Sequence, residues 1–127
     1  MQVEQSKAEE MRSPGMMAVH YAPHTKAVLC NTDRLPEIIR ILISRNKKIG
    51  ILKYRSEPPE NQQILIIRMP EQANDYAQTL YASLRELDSQ ELDMILIEQP
   101  PQTEVWRAIN DRLWKATSAN QSLFAHN

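Results

Sequence analysis

Ser13, His20 and Tyr21 are the side chains whose types and spacing first suggest chemistry. Two hydroxyls can donate and accept hydrogen bonds, and an imidazole can also exchange a proton near neutral pH. They stand in the stretch Ser13-Pro14-Gly15-Met16, three residues, then His20-Tyr21-Ala22-Pro23. Pro14 sets the φ wanted at the second position of a β-turn, and Gly15 tolerates the positive φ of a type II turn at the third. Pro23 holds Ala22 extended. Residues 17–22 carry no helical stripe, so the expectation is a turn followed by an extended arm. Such an arm exposes Met16, His20 and Tyr21 and is suited to presentation to a second surface.

Other groupings are weaker. Cys30-Asn31-Thr32-Asp33 follows the first apolar run, at the edge where open α/β sheets bind ligands. A Cys30 thiolate beside a helix N-terminus would be a nucleophile, but a lone free cysteine more often fills a core, and that is the reading taken. His20 and His24 are spaced for a metal only on a helix, which Pro23 opposes. With no third ligand apparent, no metal site is expected. His126 lies in the tail. Arg107, Asp111 and Lys115 follow i, i+4, i+8, a solvated ion-pair stripe. Trp106, Asn110 and Trp114 form the neighbouring stripe, flanked by Asp111 and Arg112. These five residues are a candidate partner surface, or equally the cover of a sheet edge. Tyr76 and Tyr81 are expected to pack.

The chain has 127 residues and a net charge of −1, which fits one domain and provides no global basic field for nucleic acid. Arg45, Lys47 and Lys48 form its densest cationic cluster and look like a helix C-terminus. Two glycines and no G-x-G-x-x-G or Walker A pattern exclude a phosphate loop of the usual kind. One cysteine allows no internal disulfide and suits a reducing compartment. The polar start does not resemble a signal peptide, and no apolar run is long enough to span a membrane. A cytoplasmic protein is expected.

These groups need elements to position them. Ala27-Val28-Leu29-Cys30 reads as a first strand. A helix follows, with cap chemistry at Asn31, Thr32 and Asp33, Pro36 in its first turn, a face of Leu35, Ile38, Ile39, Leu42 and Ile43, and an end near Asn46. Residues 49–54 form a second strand, in which Gly50 allows close backbone approach. Residues 55–63 form a loop, short for a parallel crossover, so an irregular joint is expected. Residues 64–67 are a third strand. Pro70 opens a long helix whose face runs from Ala73 to Leu87. Residues 94–97 are a fourth strand, Thr103 caps a last helix, and a polar tail begins at Ser118. The strands are apolar at consecutive positions, which suits a sheet covered on both faces. The fold class is α/β, a three-layer Rossmann-like sandwich with a small, mainly parallel sheet preceded by an extended arm. The expected divisions are a mobile lead at 1–12, an arm at 13–26, a domain at 27–117 and a tail at 118–127.

The stretch 13–23 resembles the linker of two-domain threonylcarbamoyl-AMP synthases of the Sua-five type. Tyr76-Ala77, Leu80-Tyr81-Ala82 and Leu84-Arg85-Glu86-Leu87-Asp88 are similar to that family's long helix. Residues 93–98 resemble its next strand, and Ala108-Ile109-Asn110-Asp111-Arg112-Leu113 its last helix. The resemblance covers about residues 13–116 and implies linker plus accessory domain, without the catalytic YrdC-like domain. It implies a module that is not catalytic alone, in the synthesis of threonylcarbamoyl-AMP for tRNA threonylcarbamoyladenosine modification. Ser13, Pro14, Gly15, Met16, His20, Tyr21, Ala22 and Pro23 would form a lid over the ATP and threonine site of a YrdC-type catalytic partner. ATP would sit in that partner, and the module would have no cofactor of its own. Met17, Ala18 and Val19 depart from the family's basic residues, which removes a phosphate contact. The connector at 55–63 is shorter than the family's second αβ unit. Two other readings stay open. One is a stand-alone module binding a nucleotide or small metabolite near Asn31, Tyr54, Arg68 and Glu98. The other is a homodimer held by the arm.

Overall fold

A computed structural model describes residues 22–123. Ser13, Pro14, Gly15, Met16, His20 and Tyr21 therefore lie outside the described residues. Four strands, β1 (Ala27–Cys30), β2 (Ile49–Lys53), β3 (Ile64–Arg68) and β4 (Met94–Glu98), form one parallel sheet in the order β1-β4-β2-β3. Three α-helices, α1 (Leu35–Ser44), α2 (Ala73–Asp88) and α3 (Arg107–Thr117), cover it.

Successive strand residues point to opposite faces, and each face has its own core. Val28, Cys30, Ile49, Ile51 and Leu96 pack with Leu35, Ile38, Ile39 and Leu42 of α1. Ala27, Leu52, Ile95 and Ile97 pack with Tyr76, Leu80, Leu84 and Leu87 of α2 and with Ile109 and Leu113 of α3. The sandwich is thus three-layered, with one helix on one side and two on the other. Each fully buried leucine or isoleucine contributes about 1.5–3 kcal/mol relative to exposure.

The short connector between β2 and β3 contains no helix, yet the strands are parallel neighbours in direct register, so the irregular joint is observed. Edge strand β3 is only partly covered, with Leu65 at 38% exposure.

A Cβ on Gly50 would lie 2.7 Å from Leu92 Cδ1 and 2.9 Å from Leu87 Cδ2. The close approach expected at this position is therefore side-chain packing at the end of α2. Gly50→Val should cost about 1–3 kcal/mol by overpacking, seen as a lower urea midpoint with an unchanged m-value.

Several boundaries differ from expectation because capping here is done by the backbone. α2 begins at Ala73, not at Pro70. Its N-cap Gln72 stays extended and makes no side-chain cap, while the preceding chain is tied down by Met69 N–H to Lys53 O and Tyr54 Oη to Glu71 O. Thr103 precedes a 3-10 turn at Glu104–Trp106 through its carbonyl, so α3 begins only at Arg107. α1 ends at Ser44. Asn46, at φ 60°, closes it in a Schellman arrangement, donating to Ile43 O while Lys47 N–H donates to Leu42 O. The expected tail starts as a 3-10 helix, Ser118–Leu123, and Asn120 Nδ2 donates to Ala27 O on the free edge of β1.

Candidate functional site

Parallel sheets take ligands at the carboxyl ends of their strands. In this chain that position holds Glu98, the last residue of β4, which is fully buried. Its Oε1 accepts the backbone N–H of Tyr54 at 2.6 Å, of Arg55 at 3.1 Å and of Ser56 at 3.1 Å, and Ser56 Oγ at 2.7 Å. Its Oε2 accepts Thr32 Oγ1 at 2.6 Å. Three successive N–H groups converging on one oxygen form an anion nest, and its occupant is the chain's own carboxylate. Burial pushes the Glu98 pKa up, but the bonds from Thr32, Tyr54 and Ser56 outweigh it and hold the carboxyl below its usual range. Thr32 thus serves Glu98 instead of capping the helix start, and Asn31 makes no side-chain cap either.

An aromatic cluster lies beside this plug. Trp106 meets Tyr54 and Tyr76 edge-on at 5.4 and 5.2 Å between ring centroids, and the Arg55 guanidinium sits 5.4 Å from the Tyr54 centroid. Burial, then the nearby Glu98 and Tyr54, raises the Tyr76 pKa, so its phenol is neutral. Cys30 is buried, and desolvation, only partly offset by Arg34, pushes its thiol up to about 12. Such a thiol is not a nucleophile at neutral pH.

The suggested ligand quartet is only partly assembled. Tyr54 and Glu98 are bonded, Arg68 is exposed at the end of β3, and Asn31 lines a different groove. That groove, of about 680 Å³, runs along the free edge of β1 between α1 and α3. It is lined by Asn31, Arg34, Gln99, Arg107, Asn110 and Trp114, among others. Asn110 Nδ2 donates to Pro101 O and Trp106 O, and Gln99 Nε2 donates to Asn110 Oδ1. Asn110 is therefore committed to holding the turn before α3. The tryptophan stripe divides, with Trp106 buried and Trp114 55% exposed. The two do not share a surface. Arg112 is half-buried. The charge stripe divides as well, because Lys115 pairs with Asp111 at 3.1 Å while Arg107 pairs with Glu104 at 2.8 Å. Exposed pairs of this kind contribute little to stability.

The arm's root is at the opposite end of the sheet. Ala22 is exposed and Pro23 half-buried. Asp88, the last residue of α2, accepts the backbone N–H of His24 at 3.0 Å and of Thr25 at 2.8 Å, and Thr25 Oγ1 at 2.7 Å. A carboxylate at a helix C-terminus opposes the macrodipole, and these bonds offset that cost. His24 is exposed, and no group of three or more potential metal ligands occurs among the described residues. No helix among them is long and apolar enough to cross a membrane. The sequence reading missed the bonding of Glu98 and Asp88. The available signals were a carboxylate closing an apolar strand and another at the unfavourable end of a helix.

A family model described as "Threonylcarbamoyl-AMP synthase, C-terminal domain" matches residues 1–118. The threonylcarbamoyl-AMP synthase of Bacillus subtilis is 30% identical over 112 residues, covering 85% of this chain and 32% of the relative. That of Schizosaccharomyces pombe is 30% identical over 120 residues, covering 84% and 29%. The chain thus spans about a third of the length of the curated relatives it matches. The crystal structure of Pyrococcus abyssi Sua5 complexed with L-threonine superposes with a TM-score of 0.65 at 23% identity, covering 78% of this chain and 30% of that one. A C-terminal Sua5 domain from Pyrococcus horikoshii superposes with a TM-score of 0.57 at 18% identity, covering 72% and 91%. At these identities the structural likeness speaks to the fold.

Proposed function

Because the chain belongs to the family of threonylcarbamoyl-AMP synthase C-terminal domains, we propose that it is the accessory module of that synthesis, acting on a YrdC-type catalytic partner that lies outside these 127 residues. Its arm closes over the partner's ATP and threonine site, in the pathway that modifies tRNA with threonylcarbamoyladenosine. His20 and Tyr21 supply hydrogen bonds near substrate, while Pro14, Gly15 and Pro23 shape the segment. A lid of this kind excludes water from a reactive carboxylated or adenylated intermediate and so suppresses its hydrolysis.

The observation that carries this reading is that the family match runs through the whole of stretch 13–23 and on into the domain. The domain in turn grips the root of that stretch through Asp88. Support over a stand-alone nucleotide-binding module comes from Glu98, whose carboxylate takes up the nest that a phosphate would need. Titrating the chain into a YrdC-type protein should give saturable binding and a change in ATP-dependent pyrophosphate release. No association and no change in release would sink the proposal. A thermal-shift screen of this chain alone should show no sizeable stabilisation by ATP or AMP, and a shift of several degrees would favour the stand-alone module instead.

A further inference from the structure

We propose that the crevice at the carboxyl ends of β1 and β4 binds a free α-amino acid, with its carboxylate on Arg34 and its ammonium group towards Asp111 and the Leu29 carbonyl. The inference goes beyond the accessory reading and does not depend on it, because it concerns this chain alone.

The order of the strands makes the crevice. β1 and β4 are neighbours in the sheet. The segment leaving β1 leads into α1 on one face, and the segment leaving β4 leads into α3 on the other. Where adjacent strands send their connections to opposite faces, the loops part and leave an opening that suits a ligand. Here the opening is the groove of about 680 Å³ between α1 and α3. Asn31 and Arg34 reach it from the segment after β1, and Gln99 and Gln102 from the segment after β4. Thr32, Tyr54 and Ser56, which hold Glu98, do not line it, so the Glu98 plug leaves it open.

The groove holds polar groups that the fold does not use. Lys26 O accepts the Ile95 N–H and Cys30 O accepts the Gln99 N–H. Alternate residues of β1 therefore bond to β4, and Ala27 and Leu29 turn their N–H and C=O to the free edge. Asn120 takes up the Ala27 carbonyl. No bond between segments ends on the Leu29 pair among the described residues, and Leu29 lines the groove. Arg34 is half-buried. No carboxylate lies within ion-pair distance of it among the described residues. Its charge acts on the Cys30 thiol in the groove floor, so the guanidinium faces inward. Asn31 makes no side-chain cap.

The charges select the ligand. Arg34 stands on the α1 side and Asp111 on the α3 side, and the two are not paired with each other. Asp111 pairs with Lys115 at 3.1 Å in an exposed contact, which holds it only weakly. The other guanidinium of the groove, Arg107, is paired with Glu104. Opposite charges on opposite walls suit a small molecule that carries both. The planar fork of Arg34 matches a carboxylate, while Asp111 and the Leu29 carbonyl accept from an ammonium group. A phosphate suits the site poorly. Asp111 repels a polyanion, and the converging N–H groups that a phosphate uses are bound to Glu98. Ile38 and Trp114 supply apolar lining for the ligand's side chain, and Trp114 is left 55% exposed without it.

The test is NMR titration of the isotope-labelled whole chain with each common L-amino acid in turn, at millimolar concentration. At least one should move the Leu29 amide and Trp114 indole signals along a saturable curve. Acetate, which has only the anionic half, should need a higher concentration, and inorganic phosphate and AMP should not displace the amino acid. Arg34→Gln should weaken binding roughly tenfold or more, the fold-change for one lost charge-assisted contact. Asp111→Asn should weaken it in the same direction but less, and Arg40→Gln, outside the groove, should bind as wild type does. Melting temperatures report whether each variant is folded, and Asp111→Asn decides if Arg34→Gln is not. The proposal is overturned if no amino acid gives a saturable shift at these signals, or if the folded variants bind as wild type does. Acetate binding as tightly as the amino acid, or displacement by phosphate, would make this a plain anion site and overturn it. Trialanine shifting Leu29 where free amino acids do not would make the β1 edge a peptide-docking surface and overturn it as well. None of these outcomes bears on whether the chain binds a YrdC-type protein.

Discussion

Glu98→Ala should lower the stability of the domain by about 3–5 kcal/mol, the range for removing one side of a buried, hydrogen-bonded charged contact. The carboxylate ties two loops to the end of β4. It holds Thr32 after β1 and residues 54–56 after β2 from its own place at the end of β4. Its removal leaves three backbone N–H groups and two hydroxyls without their common acceptor at the top of the core. For a domain of this size each kcal/mol moves the melting temperature by about 4–8 °C, so a drop of roughly 12 °C or more is expected by calorimetry. Glu98→Gln should lose less, because one carbonyl oxygen remains as acceptor while the amide NH2 faces donors. Glu98→Ala melting within 2 °C of wild type would show that the nest is satisfied by other means.

The same residue sets an acid dependence. Its folded pKa is held below the usual carboxylate range, since the hydrogen bonds outweigh burial. A group depressed in the fold contributes stability above its unfolded pKa and loses it as pH falls through the folded value. The stability gap between wild type and Glu98→Gln should therefore be full at pH 7, persist at pH 5 and shrink only below about pH 4. Urea midpoints at the three pH values would show it. A gap that closes by pH 5 would contradict the assignment.

Glu98 also shows which parts of the chain its sequence could disclose. The four strands were legible because a parallel sheet covered on both faces demands unbroken apolar runs, as in Met94-Ile95-Leu96-Ile97. The stripes of α1 and α2 were legible for the corresponding helical reason. Helix starts were less so, because Asn31, Gln72 and Thr103 make no side-chain caps and instead accept the first-turn N–H through their backbone carbonyls. The Trp106–Trp114 stripe assumed one helix from Thr103. A 3-10 turn holding Trp106 rotates its side chains by a different step and sends that ring into the core. Bonds spanning 42 to 66 residues, such as those from Ser56 and Thr32 to Glu98, leave no local pattern. Asp88 is a comparable case, since its partners lie 63 and 64 residues away.

Removing residues 1–21 should abolish the effect of this chain on a YrdC-type partner while leaving the domain folded. Among the described residues both hydrophobic clusters are built from residues 27–113, and all of these remain in the shortened chain. The melting temperature should stay within about 3 °C of wild type, as expected where no named destabilising mechanism operates. His20→Ala with Tyr21→Ala should reproduce most of the functional loss without touching the fold. Asp88→Ala should weaken the effect on the partner in the intact chain, because the arm then leaves the domain without a fixed direction. In the chain lacking residues 1–21 the same substitution should change nothing further. That non-additivity is the signature of a residue acting through the arm. Independent losses from the two changes would mean that Asp88 contacts the partner itself. A shortened chain that stimulates pyrophosphate release as well as the intact one would remove the arm from the mechanism.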